Sequence, residues 1–241
     1  ALLEAGHQVR AFDLDQRQTR KALRRYGDRV ELSLGDLSSE QDVRRAVEGQ
    51  QVILHNAAVL PPVSEREPGL ARRVNVEGTE RLIEAARAEP EPPRLLFASS
   101  IAVFGNCRGK QGPSRADDPQ QPTDHYGRHK VECERMLRGS GLSWCIVRIA
   151  AAPPASPTGG SPAMLRYLFE RSLDDRVEYV HPADVAYAQA RAVETEAAWD
   201  KVLLLGGGPG CQITNRELVR GTFEALGIGA LPEEAFGDEP M

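Results

Sequence analysis

At 241 residues the chain exceeds the roughly 150-residue domain prior, so one large domain or a core with a small lobe is expected. Apolar residues are 41% and charged residues 27%, which excludes a disordered, collagen-like or coiled-coil chain. A net charge of -5 and a pI near 5.7 remove the electrostatic footprint of a nucleic-acid or anionic-membrane binder. The longest charge-free run, between Arg148 and Arg166, is broken by Pro153, Pro154, Pro157 and Pro162, so no segment reads as membrane-spanning.

Ala1-Leu2-Leu3-Glu4-Ala5-Gly6 opens the sequence without an initiator Met and reads as the last turn of a helix ending at a Gly C-cap. His7 to Phe12 alternates polar and apolar up to Asp13, a strand, and Gln16 to Tyr26 reads as an Arg-rich helix. Val30 to Leu34 is the next strand. After Gly35-Asp36-Leu37, a capping box with Ser38 as N-cap and Gln41 at the third helical position opens a helix. Gln51 to Leu54 is a short buried strand leading into His55-Asn56-Ala57-Ala58. A proline-rich loop and a long helix over Leu70 to Ala88 follow.

Arg94 to Ser99 is a strand, a Gly- and Pro-rich loop runs to Thr123, Asp124 to Leu137 is a helix, and Ser143 to Ile149 is a strand. Beyond it the spacing predicts a loop over Ala150 to Pro162, a helix over Ala163 to Leu173, an extended Val177 to Val180 and a helix over Pro182 to Glu196 with Pro in its first turn. Val202 to Leu205 is the last strand before Gly206-Gly207-Gly208, and Thr214-Asn215-Arg216-Glu217 is a capping box opening a helix to Leu226. Six strands alternating with helices imply an α/β fold: a doubly wound, Rossmann-like parallel sheet with helices on both faces.

Tyr126 and Lys130 lie four apart on a predicted helix, so their side chains share a face. A phenol is a poor base at neutral pH, and an adjacent ammonium favours its ionised form, so the pair suits proton transfer. An exposed surface pair is the plain alternative. Ser100 ends a strand where ligands sit in open α/β sheets, just past the strands' carboxyl ends. Its hydroxyl can bond a substrate oxygen whose proton Tyr126 exchanges; turn chemistry is the alternative there. Cys107, Cys133, Cys145 and Cys211 are spaced 26, 12 and 66 apart, which matches neither a zinc knuckle nor a CxxC pair. No His/Cys/Asp cluster has metal-ligand spacing, so no metal is expected, and a reducing cytoplasm fits the cysteines.

Ser100-Ile101-Ala102-Val103-Phe104-Gly105 followed by Tyr126-Gly127-Arg128-His129-Lys130, with Glu134 on the same helix, resembles the active-site block of the extended short-chain dehydrogenase/reductase family, the NAD-dependent epimerase/dehydratase group. Gly35-Asp36-Leu37, His55 to Ala58, Asn75-Val76-Glu77-Gly78-Thr79, Val180 to Val185 and Gly206 to Gly208 fall in that family's order, over nearly the whole chain.

The resemblance implies Tyr126 as general base or acid, Lys130 lowering its pKa and meeting the nicotinamide ribose, and Ser100 polarising the substrate. It implies that Asn75 orders the proton relay, against a solvated mid-helix Asn. Asp13 would bind the adenosine ribose hydroxyls, which favours NAD over NADP because a carboxylate repels a 2′-phosphate; Arg17 is the feature that suits NADP. Asp36 and Leu37 would contact adenine, and Asn56, Ala57 and Ala58 the cofactor backbone.

The family's first strand and its Gly-rich phosphate turn are not in the sequence, so an upstream strand, turn and half helix are expected. That strand would be central, between the strand at His7 to Phe12 and the one at Arg94, crossover partner of the strand from Gln51. Residues 1–149 then form an NAD-binding core, and 150–241 a small substrate-binding lobe interleaved with returning core elements at 176–205. The helices over Leu70 to Ala88 and Asp124 to Leu137 resemble the family's four-helix interface, which implies a homodimer.

Ile101-Ala102 replaces the acidic pair of the sugar 4,6-dehydratases, which disfavours elimination. Three functions follow: an NAD-dependent oxidoreductase or epimerase of a sugar or nucleotide sugar; a reductase or dehydrogenase of a small ketone, sterol or flavonoid-like molecule; and a non-catalytic dinucleotide-binding protein. Arg148 and Arg166 are candidates to meet a phosphate or carboxylate, against solvated surface arginines. His181 reads as packing between lobe and core, and His125 as facing away from Tyr126.

Overall fold

A computed structural model describes residues 1–107, 112–153 and 172–227, with 229, 232 and 235 beyond them. Six strands run parallel in two groups. β1 (Val9–Asp13) pairs with β2 (Val30–Leu34), and the second sheet has the order β3 (Val52–His55), β4 (Arg94–Ser100), β5 (Trp144–Ile149) and β7 (Lys201–Leu205). β6 (Arg176–Glu178) and β8 (Gln212–Thr214) form a short antiparallel pair that the sequence pattern did not fully reveal. All six predicted strands are present. No interruption lies beside Arg94, because β4 is paired with β3 on one side and β5 on the other; among the described residues β1–β2 and β3–β4–β5–β7 are separate sheets.

β4 shows why the sheet carries helices on both faces. Leu95, Leu96 and Phe97 are all within 1% of full burial, and a period of two sends successive side chains to opposite faces. Leu95 and Phe97, with Ile146 of β5, pack against Val43 and Val47 of α2 (Glu40–Val47), Leu82, Ile83 and Ala86 of α5 (Gly78–Ala88), and Cys133 and Leu137 of α6 (His125–Arg138). Leu96, Cys145 and Val147 pack the other way, against Ala192 and Val193 of α7 (Pro182–Glu194) and Trp199. Each fully buried Val, Leu, Ile or Phe among them stabilises the fold by about 1.5–3 kcal/mol. No helix among the described residues is long and apolar enough to cross a membrane.

Several local expectations change. The Arg-rich helix α1 covers only Arg17–Leu23 and tightens into a 3-10 stretch over Arg24–Arg29, where Gly27 takes φ +53. α2 begins one residue later than the capping box predicted. Ser39, not Ser38, is the N-cap: its backbone is extended and its hydroxyl accepts from the Asp42 amide at 3.3 Å. Asp42 in turn accepts from the Asp36 amide at 3.1 Å, three residues ahead of the N-cap, so the reciprocal bond of the expected capping box is not formed. The Thr214–Glu217 capping box opens α8 (Asn215–Leu226) as read.

The long helix over Leu70 to Ala88 is three pieces: α4 (Pro68–Arg72), a π-helical turn (Arg73–Glu77) and α5. A short helix α3 (Val63–Arg66) precedes them. The helix predicted over Ala163 to Leu173 lies outside the described residues except at its last two positions, as does Arg166.

Candidate active site

The site is built where β4 ends and α6 begins. Ser100 closes β4 opposite Ile149 of β5 and caps the 3-10 turn Ile101–Phe104, its hydroxyl accepting from the Ala102 amide at 3.2 Å. Tyr126 occupies the second position of α6. The extended backbone of Asp124 starts that helix, and its carboxylate accepts from the Gly127 amide at 2.6 Å. Gly127 lets the two segments meet: a Cβ there would lie 2.6 Å from the Ala102 carbonyl oxygen and 2.9 Å from Pro122. That close approach brings the Tyr126 phenol near the Ser100 side chain, which favours its ionised form. One turn on, the ammonium of buried Lys130 donates to the Ala98 carbonyl at 2.6 Å and sits 4.6 Å from the Phe97 ring centre and 5.5 Å from that of Tyr126.

The electrostatics correct one expectation. Burial, with the Asp124 carboxylate adding to it, pushes the Tyr126 phenol up to about 12, and the nearby Ser100 side chain opposes this. Burial pulls Lys130 down to about 8. On balance the Tyr126 pKa is therefore raised despite the nearby Lys130 ammonium: desolvation disfavours both charged forms, and the ammonium lies over the ring while bonding a strand carbonyl.

Asn75 is 3% exposed, in the π-helical turn. Its amide is neither solvated nor turned to Tyr126: it accepts from the Val59 amide at 2.7 Å and donates to the Val59 carbonyl at 2.9 Å. Its backbone carbonyl oxygen accepts from the Thr79 hydroxyl at 2.6 Å and from the Cys133 thiol of α6 at 3.0 Å. Because the single Thr79 proton goes to Asn75, Nε2 of His55, 2.8 Å from that hydroxyl, carries the proton. Burial holds the His55 imidazole down at about 3.

The remaining predicted residues stand at the ends of strands. Asp13 is exposed at the end of β1, accepting from the Leu14 amide at 2.7 Å and, at 3.4 Å, from the Thr19 hydroxyl. Asp36 follows β2 and accepts from the Ser38 amide at 2.7 Å. Leu37, expected at adenine, has its side chain in the core, where Gly78 leaves room for it. Asn56 exchanges two hydrogen bonds with Gln189 of α7, at 3.2 and 2.7 Å, so its side chain ties β3 to that helix. Ala57 and Ala58 follow on the partly open strand end.

Two features were missed. Arg148 is neither a solvated arginine nor open to a phosphate: it is 1% exposed and grips Glu134 of α6 at 2.9 and 2.8 Å. Glu134 also accepts from Ser99 at 2.6 Å and Gln120 at 2.7 Å, and Arg148 donates to the Ala116 carbonyl at 3.0 Å. The four-residue step from Lys130 to Glu134 was the available signal. Glu65 of α3 accepts from the His125 amide at 2.9 Å and the Tyr126 amide at 3.1 Å, and no sequence signal points to it. His181, expected to pack between lobe and core, is exposed and caps α7, Nδ1 accepting from the Ala183 amide at 3.1 Å. Among the described residues no His/Cys/Asp/Glu group could hold a metal ion.

The family model described as "NAD dependent epimerase/dehydratase family" matches residues 1–206. The chain is 31% identical over 136 residues to mouse sterol-4-alpha-carboxylate 3-dehydrogenase, decarboxylating, and 33% identical over 137 residues to D-erythronate dehydrogenase of Cupriavidus necator, with 56% of the chain matched in each case. It spans only 35% and 41% of those two relatives' lengths. The crystal structure of Thermus thermophilus UDP-glucose 4-epimerase in complex with NAD superposes with a TM-score of 0.74 at 25% identity, over 100% of this chain and 84% of that one. Thermotoga maritima UDP-glucose 4-epimerase with UDP-glucose has the same fold, with a TM-score of 0.77 at 21% identity over 100% and 80% of the two chains.

Proposed function

Because this chain belongs to the NAD-dependent epimerase/dehydratase family, we propose that it is an NAD-dependent enzyme transferring hydride at a hydroxyl-bearing carbon of a sugar or nucleotide sugar, as an oxidoreductase or epimerase. The observation that carries this reading is the convergence of Ser100 at the end of β4 and Tyr126 in the first turn of α6, with Lys130 one helical turn away. Bound NAD would supply the hydride acceptor. Asp13 suits a ribose diol, because its outer carboxylate oxygen makes only a 3.4 Å contact. Ala57 and Ala58 leave the backbone after β3 open to close approach, and the Lys130 ammonium has three N–H donors for the one Ala98 carbonyl it meets.

Ser100 orients the substrate oxygen, and Tyr126 exchanges its proton. A phenol held near 12 keeps its proton at neutral pH, so Tyr126 is set to donate toward a carbonyl. To take a proton from a hydroxyl it must first lose its own, a loss that Lys130 favours by its positive charge.

Residues 1–149 form the dinucleotide-binding core in this reading, and 150–241 the substrate side, with β7 returning to the main sheet beside β5. The four cysteines are unpaired thiols, as a reducing cytoplasm would keep them. A homodimer through α5 and α6 completes the reading; light scattering tests it.

A second substrate class, a sterol or another small apolar carbinol, is favoured by one observation. Leu60 and Val63, 56% and 44% exposed, sit on the segment that Glu65 fastens to the start of α6, and Ile101-Ala102 adds apolar surface beside Ser100. Turnover is tested by Tyr126→Phe, which should abolish substrate-dependent NADH formation while the fold is kept; undiminished turnover rejects the proposal. Parallel panels of nucleotide sugars and sterols decide between the two substrate classes.

A further inference from the structure

The first amides of a helix have no partner within it, and in α6 they belong to His125, Tyr126 and Gly127. Asp124, the local cap, takes the Gly127 amide. That alone satisfies the ordinary requirement for starting a helix. The other two amides are taken by Glu65, 60 and 61 residues upstream, on a four-residue helix of its own. A carboxylate is favoured there by the helix dipole. The hydrogen bonds from the His125 and Tyr126 amides and from Ser64 outweigh burial and hold Glu65 below the usual carboxylate range.

The segment that carries Glu65 is fastened at its other end as well. Val59 is gripped through both its amide and its carbonyl by Asn75, and the Asn75 carbonyl meets Cys133 of α6. Residues 59–65 therefore form a strap whose two ends both report to α6, one near its middle and one at the amide of Tyr126 itself. Between the fastenings lie Leu60 and Val63, both largely exposed.

We propose that Glu65 is a positioning residue, a latch through which the strap after β3 holds the first turn of α6, and with it Tyr126, in register with Ser100. The proposal rests on the role given to Tyr126 above. Tyr126 sits where a helix frays most readily, and a displacement of about 1 Å at a reacting group lowers turnover about a hundredfold. Gly127, pressed against Ala102, fixes how close α6 comes to the turn after Ser100; Glu65 fixes whether the Tyr126 end stays down.

The test is amide hydrogen exchange on the full chain, together with steady-state kinetics, for Glu65→Ala and for Glu65→Gln, which keeps the size and one acceptor oxygen. Glu65→Ala is expected to speed exchange at His125 and Tyr126 by about tenfold or more, with Gly127 within about twofold. It should lower kcat by about 10- to 100-fold with KM within about twofold. Glu65→Gln should recover part of both. Unchanged exchange at His125 and Tyr126, acceleration spread evenly along α6, or full kcat despite fast exchange would each overturn the latch. Exchange needs no turnover, so a Tyr126→Phe protein that stays active would reject the proposed function while leaving this readout intact.

Discussion

Arg148 and Glu134 face each other fork to fork in the interior, the guanidinium nitrogens 2.9 and 2.8 Å from the two carboxylate oxygens, with side chains 2% and 1% exposed. The pair joins β5 to α6. Through Ser99 it reaches the end of β4, and through Gln120 and Ala116 it holds the loop ahead of α6. Burial opposes the Glu134 charge, and the hydrogen bonds from Arg148 and Ser99 overcome it, so its carboxyl stays below the usual range.

Removing one partner strands a buried charge. Glu134→Ala is therefore expected to destabilise the protein by about 3–5 kcal/mol, read from urea unfolding. The double variant Glu134→Leu, Arg148→Met should recover much of that loss, since paired apolar side chains of similar volume replace a buried ion pair at little cost. A double variant no more stable than the single one would show that the hydrogen bonds to Ser99 and Gln120, and not the ion pair, carry the stability.

Gly127→Ala tests the close approach that joins Ser100 to Tyr126. The added methyl would lie 2.6 Å from a backbone oxygen, which cannot swing aside as a side-chain end can. α6 must retreat, and kcat is expected to fall about a hundredfold. Kinetics of the variant check this, and activity within about twofold of the parent would show that the turn after Ser100 yields instead.

Lys130 gives stability and turnover opposite slopes in one pH window. Its pKa drops from 10.5 in the unfolded chain to about 8 in the fold, so between those values the unfolded state binds the extra proton. Stability should therefore rise with pH across the window, by at most about 1.4 kcal/mol per unit from this group. Above pH 10 Tyr126 works the other way, because its folded value of about 12 lets the native state keep a proton that the unfolded state loses. Turnover that needs the Lys130 ammonium falls as pH passes about 8. Urea midpoints and kcat measured from pH 7 to 10 check both trends, and Lys130→Met should flatten the stability slope.

The strands and the helix that carries Tyr126 and Lys130 were legible in the sequence because their signals are local. A run such as Leu95-Leu96-Phe97 has to be buried on both faces, and the four-residue step from Tyr126 to Lys130 to Glu134 lines one side of a helix whatever the fold. The Thr214–Glu217 capping box was legible for the same reason, while at α2 the choice between adjacent Ser38 and Ser39 turned on which residue took an extended backbone.

Tertiary structure alone decided what distant groups do to one another. The sequence placed Asn75 on a helix, but only packing turned its amide onto Val59; it marked Arg148 as a charge, but only the sheet register set it against Glu134. Whether Lys130 depresses the Tyr126 pKa depends on desolvation and on where the ammonium points, neither of which is written in spacing. Glu65 is the extreme case: a carboxylate 61 residues from Tyr126 with no motif around it, whose role exists only because the fold lays its strap across the start of α6.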